Sequence, residues 1–204
     1  MSSATFGTTP PPAAAANERS HAAGVWWPWL VTFLAFPPAG LVGRAVAGPV
    51  EDLPAAVLAG IVTGSVLGTL QWALLRRQAV SPGWILGTAI GFGVGLGAGA
   101  ALVSHRTDRP SLALMGAVAG LAVGLCQAIG ARATTRESVL WGVATAGLWV
   151  VGWMLTSGVI DVADQWPVFG ASGALAVAFA QSLFIRRVLP IGTVAQTTTR
   201  GVAR

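Results

Sequence analysis

The run from Asp52 to Arg77, DLPAAVLAGIVTGSVLGTLQWALLRR, has a start signal, a long interior without charge and a stop signal. Asp52 is suited to cap a helix and Pro54 to sit in its first turn. Arg76 and Arg77 end the apolar run. About 21 residues lie between these ends, enough for a helix to cross a bilayer. Gly60, Gly64 and Gly68 fall four residues apart, which puts them on one helical face, and Gln71 continues that face. The stretch predicts a membrane-spanning helix with a stripe of small residues.

The pattern returns twice. Asp108, Pro110, Gly116, Gly120, Gly124, Gln127 and Arg132 repeat it at an offset of 56 residues. A third copy runs Asp164, Pro167, Gly170, Ala174, Ala178, Gln181 and Arg186, with an Asp-to-Gln spacing of 17 in place of 19. Trp27, Trp84 and Trp141 precede the copies at intervals of 57. A fixed period of this length marks an internal structural repeat. The expected fold is therefore all-α and integral to a membrane: six transmembrane helices arranged as three tandem pseudo-symmetric hairpins. The repeats are 24–80, 81–137 and 138–190. The expected spans are 25–47, 54–76, 83–104, 110–131, 138–158 and 167–187.

Composition agrees with that class. Of the 204 residues 9% are charged and 54% hydrophobic. Soluble domains carry roughly 25% charged residues. Mean hydropathy is +0.70. The net charge of +5 comes from arginine alone, and the arginines stand at helix ends instead of forming one patch, so nucleic acid is not an expected partner. Absent lysine with abundant Ala, Gly and Arg suggests a GC-rich bacterial genome. The single Cys126 excludes an internal disulfide. Residues 1–23 and 191–204 read as a disordered tail and a short polar tail. Ala45-Val46-Ala47 has the small-residue look of a cleavage site, but an uncleaved first helix is expected.

Arginine placement sets the expected orientation. With the N-terminus inside, nine arginines (19, 76, 77, 132, 136, 186, 187, 200 and 204) lie on the cytoplasmic side, and Arg44, Arg106 and Arg109 lie outside. Both termini are then cytoplasmic in a bacterial plasma membrane. Trp27, Trp84 and Trp141 become anchors at the cytoplasmic interface, with Arg76, Arg132 and Arg186 beside them.

Within this frame several features admit two readings. The stripes Gly60/Gly64/Gly68, Gly87/Gly91/Gly95/Gly99, Gly116/Gly120/Gly124 and Gly170 allow close helix approach, either inside one bundle or on a dimer face. The fifth helix carries Trp149 and Trp153 on one face instead. Asp52, Asp108 and Asp164, with Glu51 and Asp161, either cap helices or form a cation-attracting ring. Pro37-Pro38 either kinks the first helix or breaks it functionally. Gln71, Gln127 and Gln181 each lie five residues before an arginine and face protein. They either hydrogen-bond between helices or form a polar cluster that binds a solute.

His21 and His105 match no metal-ligand spacing, and Gly93-Val94-Gly95 lies in a membrane helix instead of a phosphate loop. No acid or base is predicted deep in the hydrocarbon region. Neither a catalytic site nor a cofactor or metal is expected.

The stretch Gly64–Arg77, Gly-x3-Gly-x2-Gln-Trp-x-Leu-Leu-Arg-Arg, resembles uncharacterised bacterial polytopic membrane proteins that repeat a Gly-rich helix ending in Gln-Trp and a Leu-Arg-Arg stop. The likeness is strongest over 60–95 and weaker over 116–153 and 170–187, where Ala128 and Ser182 follow the glutamine. It implies membrane class and repeat architecture. The expected function is that of a non-enzymatic scaffold or subunit of a membrane assembly. Its partners would be the lipid bilayer and a second copy or other membrane subunits. The alternative is a small-solute permease or channel with a Gln-lined interior.

Overall fold

The computed structural model describes residues 27–78 and 80–191. The expected disordered tail at 1–23 lies outside them, as does the C-terminal tail beyond Ile191. Ile191 itself is buried against the bundle.

The described residues form helices joined by short turns, with no strand among them. We label the helices α1 (Trp27–Ala47), α2 (Leu53–Leu75), α3 (Gly83–Leu102), α4 (Arg109–Gly130), α5 (Thr135–Thr156) and α6 (Ala171–Val188). The first five are long and apolar enough to cross a membrane. The 18-residue α6 is not among them: it carries Gln181 and Ser182, and its last turn holds Arg186 and Arg187.

The ends follow local chemistry. The Asp52 carboxylate accepts from Ala55 N at 2.7 Å and starts α2. Asp108 accepts from Ser111 N at 3.1 Å and Ser111 Oγ at 2.8 Å and starts α4. The Ser111 hydroxyl and amide together hold the Asp108 carboxyl below its ordinary range. Thr134 and Glu137 form a reciprocal capping box on α5. α1 ends at Gly48, whose φ of +77° suits a residue without a Cβ.

Pro37 and Pro38 do not open α1 into a loop. The chain tightens into a 3-10 turn at Thr32–Ala35, and the prolines enter the first turn of the following segment, Phe36–Ala47. There a missing N–H costs little.

The third acidic turn departs from the expected pattern. Asp164 does not cap α6. It closes a short 3-10 turn, Val162–Asp164, and the chain runs on without helix until Gly170 caps α6. This non-helical stretch shortens the helix at its start and leaves Gly170 outside the packed face, while Ala174, Ala178 and Gln181 stay buried.

Successive helices pack on one another, and α6 returns to α1 at the 3-10 turn. The glycines decide how closely. A Cβ on Gly60 would lie 2.6 Å from Phe92 O, and one on Gly64 2.6 Å from Thr88 O. On Gly68 it would meet Thr88 Cβ at 2.9 Å, so this face of α2 lies against α3. α3 in turn sets Gly87 against Cys126 O, Gly91 against Ala122 O (2.7 Å), Gly95 against Ala119 Cα (2.7 Å) and Gly99 against Met115 Cα (3.1 Å), all on α4. α4 sets Gly116, Gly120 and Gly124 against Trp153 Cδ1 (2.7 Å), Thr145 O (2.8 Å) and Gly142 Cα (2.8 Å) on α5.

Gly170 is different. A Cβ there would meet nothing nearer than 3.5 Å, because Gly170 is the cap and not part of a packed face. The close contact between α5 and α6 belongs to Gly173, which lies against Gly152 O. Gly173→Ala is therefore expected to destabilise the protein by about 1–3 kcal/mol. Gly170→Ser, which adds a capping hydroxyl, is expected to be neutral or slightly stabilising. Thermal unfolding of the two purified variants in one detergent checks this pair.

Candidate functional site: a buried tryptophan–glutamine belt

Trp84 and Thr88 on α3 stand one turn apart on one face, as do Trp141 and Thr145 on α5. All four are buried, and so are Gln71, Gln127 and Gln181 on the even-numbered helices. The Trp84 indole donates to Gln71 Oε1 at 3.0 Å, and the Trp141 indole donates to Gln127 Oε1 at 3.3 Å. An indole N–H can only donate, so it fixes which way each amide points. The amide nitrogens are thereby turned to acceptors. Gln127 Nε2 reaches Thr88 Oγ1 at 3.1 Å and Gln71 Oε1 at 3.4 Å. Gln181 Nε2 reaches Thr145 Oγ1 at 3.2 Å. The Thr88 hydroxyl donates its own proton to Trp84 O at 2.8 Å, leaving its lone pairs for Gln127.

The structure thus joins Gln71 directly to Gln127, while Gln181 meets the belt through Thr145 on α5. Thr88 and Thr145 were not singled out from sequence. The signal was present: each stands four residues after its tryptophan, at the same interval of 57.

The tryptophans correct the anchor expectation. Trp84 and Trp141 are fully buried and do not face headgroups. Trp27 is 58% exposed, and the inward residue of the first span is Trp29, at 1%. The span tightens into its 3-10 turn only after this residue, at Thr32–Ala35. The Trp29 ring meets Trp84 edge-on at 5.8 Å and Trp141 at 5.7 Å. Its Nε1 has no hydrogen-bond partner among the described residues. Of the arginines expected beside them, Arg76 opens the 3-10 turn after α2, Arg132 follows α4 with φ +60°, and Arg186 lies in the last turn of α6. All three are exposed.

A second aromatic layer fills the bundle further along the helices. Phe36 stacks on Phe169 at 5.1 Å, and Trp149 contacts Phe92 at 5.1 Å and Phe169 at 5.3 Å. Beyond it, α1 is tied to the segment before α6. The Arg44 guanidinium donates to Asp164 O and lies 4.8 Å over the Trp166 ring, and Val50 N donates to Gln165 O at 3.2 Å. The remaining acidic turns are engaged locally, with Asp161 accepting from Ala163 N at 2.9 Å.

Amides, hydroxyls and indoles neither take up nor release protons near neutral pH, so the belt orients and binds through hydrogen bonds. Among the described residues no three His, Cys, Asp or Glu side chains gather where they could hold a metal ion. Comparison of the chain with protein families, curated proteins and solved structures gave no match.

Proposed function

We propose that the chain is a multi-pass protein of the bacterial plasma membrane, built as three tandem helical hairpins with both termini cytoplasmic. In this reading it acts without catalysis, as a scaffold or a subunit of a membrane assembly. One observation carries the choice over a permease: two aromatic layers occupy the middle of the bundle. Trp29, Trp84 and Trp141 fill it at one level, and Phe36, Phe92, Trp149 and Phe169 at another. A solute path between the helices would have to displace them. The amides that would line such a path hold indoles and threonines instead.

The experiment has two arms. A reporter fused after Arg204 should be cytoplasmic and one inserted at 48–53 external, from the arginine count of nine against three. An external C-terminus would overturn the three-hairpin arrangement. Extraction into lipid discs should yield a particle containing more than one 20.7 kDa chain or additional subunits. A monomer that, in vesicles, passes small polar solutes above the empty-vesicle rate would overturn the scaffold reading and establish the Gln-lined permease.

A further inference from the structure

A groove of about 500 Å³ runs between the start of α1 and the end of α2, lined by Trp27, Pro28, Val31, Leu74, Arg76 and Arg77 among others. Its two ends differ in chemistry. Val31 and Leu74 supply an apolar wall, while Arg76 and Arg77 stand at the mouth. Neither arginine forms a hydrogen bond or ion pair with a described residue, and both are exposed. At this end of the bundle Glu137 is the sole acidic side chain among the described residues, and its carboxylate is held by the Thr134 amide and hydroxyl. Among the described residues the groove is thus positive without a counter-charge.

The chain contains its own comparison. The corresponding groove between α3 and α4 uses matching positions: Gly83 for Pro28, Leu86 for Val31, Ile129 for Ala73 and Gly130 for Leu74. It is half the size, about 250 Å³, and no charged residue lines it. The difference lies in how the preceding helix ends. After α2 the chain continues as a 3-10 turn, Arg76–Gln78, which keeps both arginines over the groove. After α4 it stops at once, with Arg132 in the left-handed region at φ +60° and outside the lining.

We propose that the α1–α2 groove binds an anionic phospholipid of the cytoplasmic leaflet, with Arg76 and Arg77 on the headgroup phosphate and Val31 and Leu74 against the acyl chains. Guanidinium groups match phosphate oxygens in planar pairs, and basic clefts between helices on this side of a membrane suit anionic headgroups. The inference rests on the membrane reading and its orientation, and alkaline extraction of membranes tests that reading separately. Release of the chain by alkali overturns the membrane reading together with this site. Retention leaves the site to be decided on lipid binding.

The full chain is placed in lipid discs of mixed phosphatidylglycerol and phosphatidylcholine, extracted gently and weighed with its retained lipid by native mass spectrometry. Preferential retention of phosphatidylglycerol is expected. Arg76→Gln with Arg77→Gln should lower it by about fivefold per arginine. Arg132→Gln should leave it unchanged, and Arg76→Lys with Arg77→Lys, which keeps the charge and loses the planar pairing, should fall between the original chain and the double glutamine variant. Equal retention of the two lipids, or no loss in the double glutamine variant at unchanged thermal midpoint, would overturn the proposal. Displacement of the lipid by excess inorganic phosphate would also overturn it, by reducing the groove to a site for free anions.

Discussion

Gly91→Val is expected to force α3 and α4 apart and to be among the most damaging single changes in the chain. An added Cβ at Gly91 would lie 2.7 Å from Ala122 O and 2.8 Å from Val123 Cα. Both atoms belong to backbone, which cannot turn aside as a flexible side chain can. Overpacking of this kind costs about 3 kcal/mol or more when the helices themselves must move. With no hydrophobic drive between helices in lipid, close packing is what such a shift removes. Gly147→Val is the control. A Cβ there meets nothing within 4 Å, and the residue is exposed on α5. Denaturant unfolding of the two variants in one detergent should show a large loss for Gly91→Val and little change for Gly147→Val. Equal losses would mean that helix propensity and not helix contact sets the cost.

Gln127→Leu is expected to destabilise the protein by about 1–3 kcal/mol through the indole it abandons. Gln127 accepts from Trp141 Nε1 and donates to Thr88 and Gln71, so leucine strands a buried N–H and strips two acceptors. Gln181→Leu removes one donated bond, to Thr145, and should cost nearer 0.6 kcal/mol. The order of the two thermal midpoints is the measurement. If Gln181→Leu proved equal or worse, the hydrogen bonds described for Gln127 would not be what holds the belt.

The helices, their caps at Asp52 and Asp108 and the positions of most glycines were legible because each depends on residues close in sequence. The third copy of the pattern was misread at Gly170. Pro167 and the preceding aspartate imitate a helix start, but Asp161 and Asp164 are drawn into a 3-10 turn and the helix waits for Gly170. The first tryptophan was misread because Trp26, Trp27 and Trp29 crowd four positions and spacing alone cannot choose among them. Packing against Trp84 and Trp141, on helices distant in sequence, marks Trp29 as the inward one. The glutamines were legible as inward-facing. Their partners were not, since an indole on the following helix is invisible to a pattern read along a single helix.

The contact between α1 and the segment leading into α6 bears on how the protein is made. The extensive helix contacts otherwise join neighbours along the chain, so each can form as the next helix leaves the ribosome. Phe36 must wait for Phe169, and Arg44 for Trp166. Until then the α1 face bearing Phe36 and Gly40 lacks its final cover. The vulnerable species during biogenesis is accordingly a five-helix chain open on one flank, and degradation of slow-maturing variants would begin from that flank.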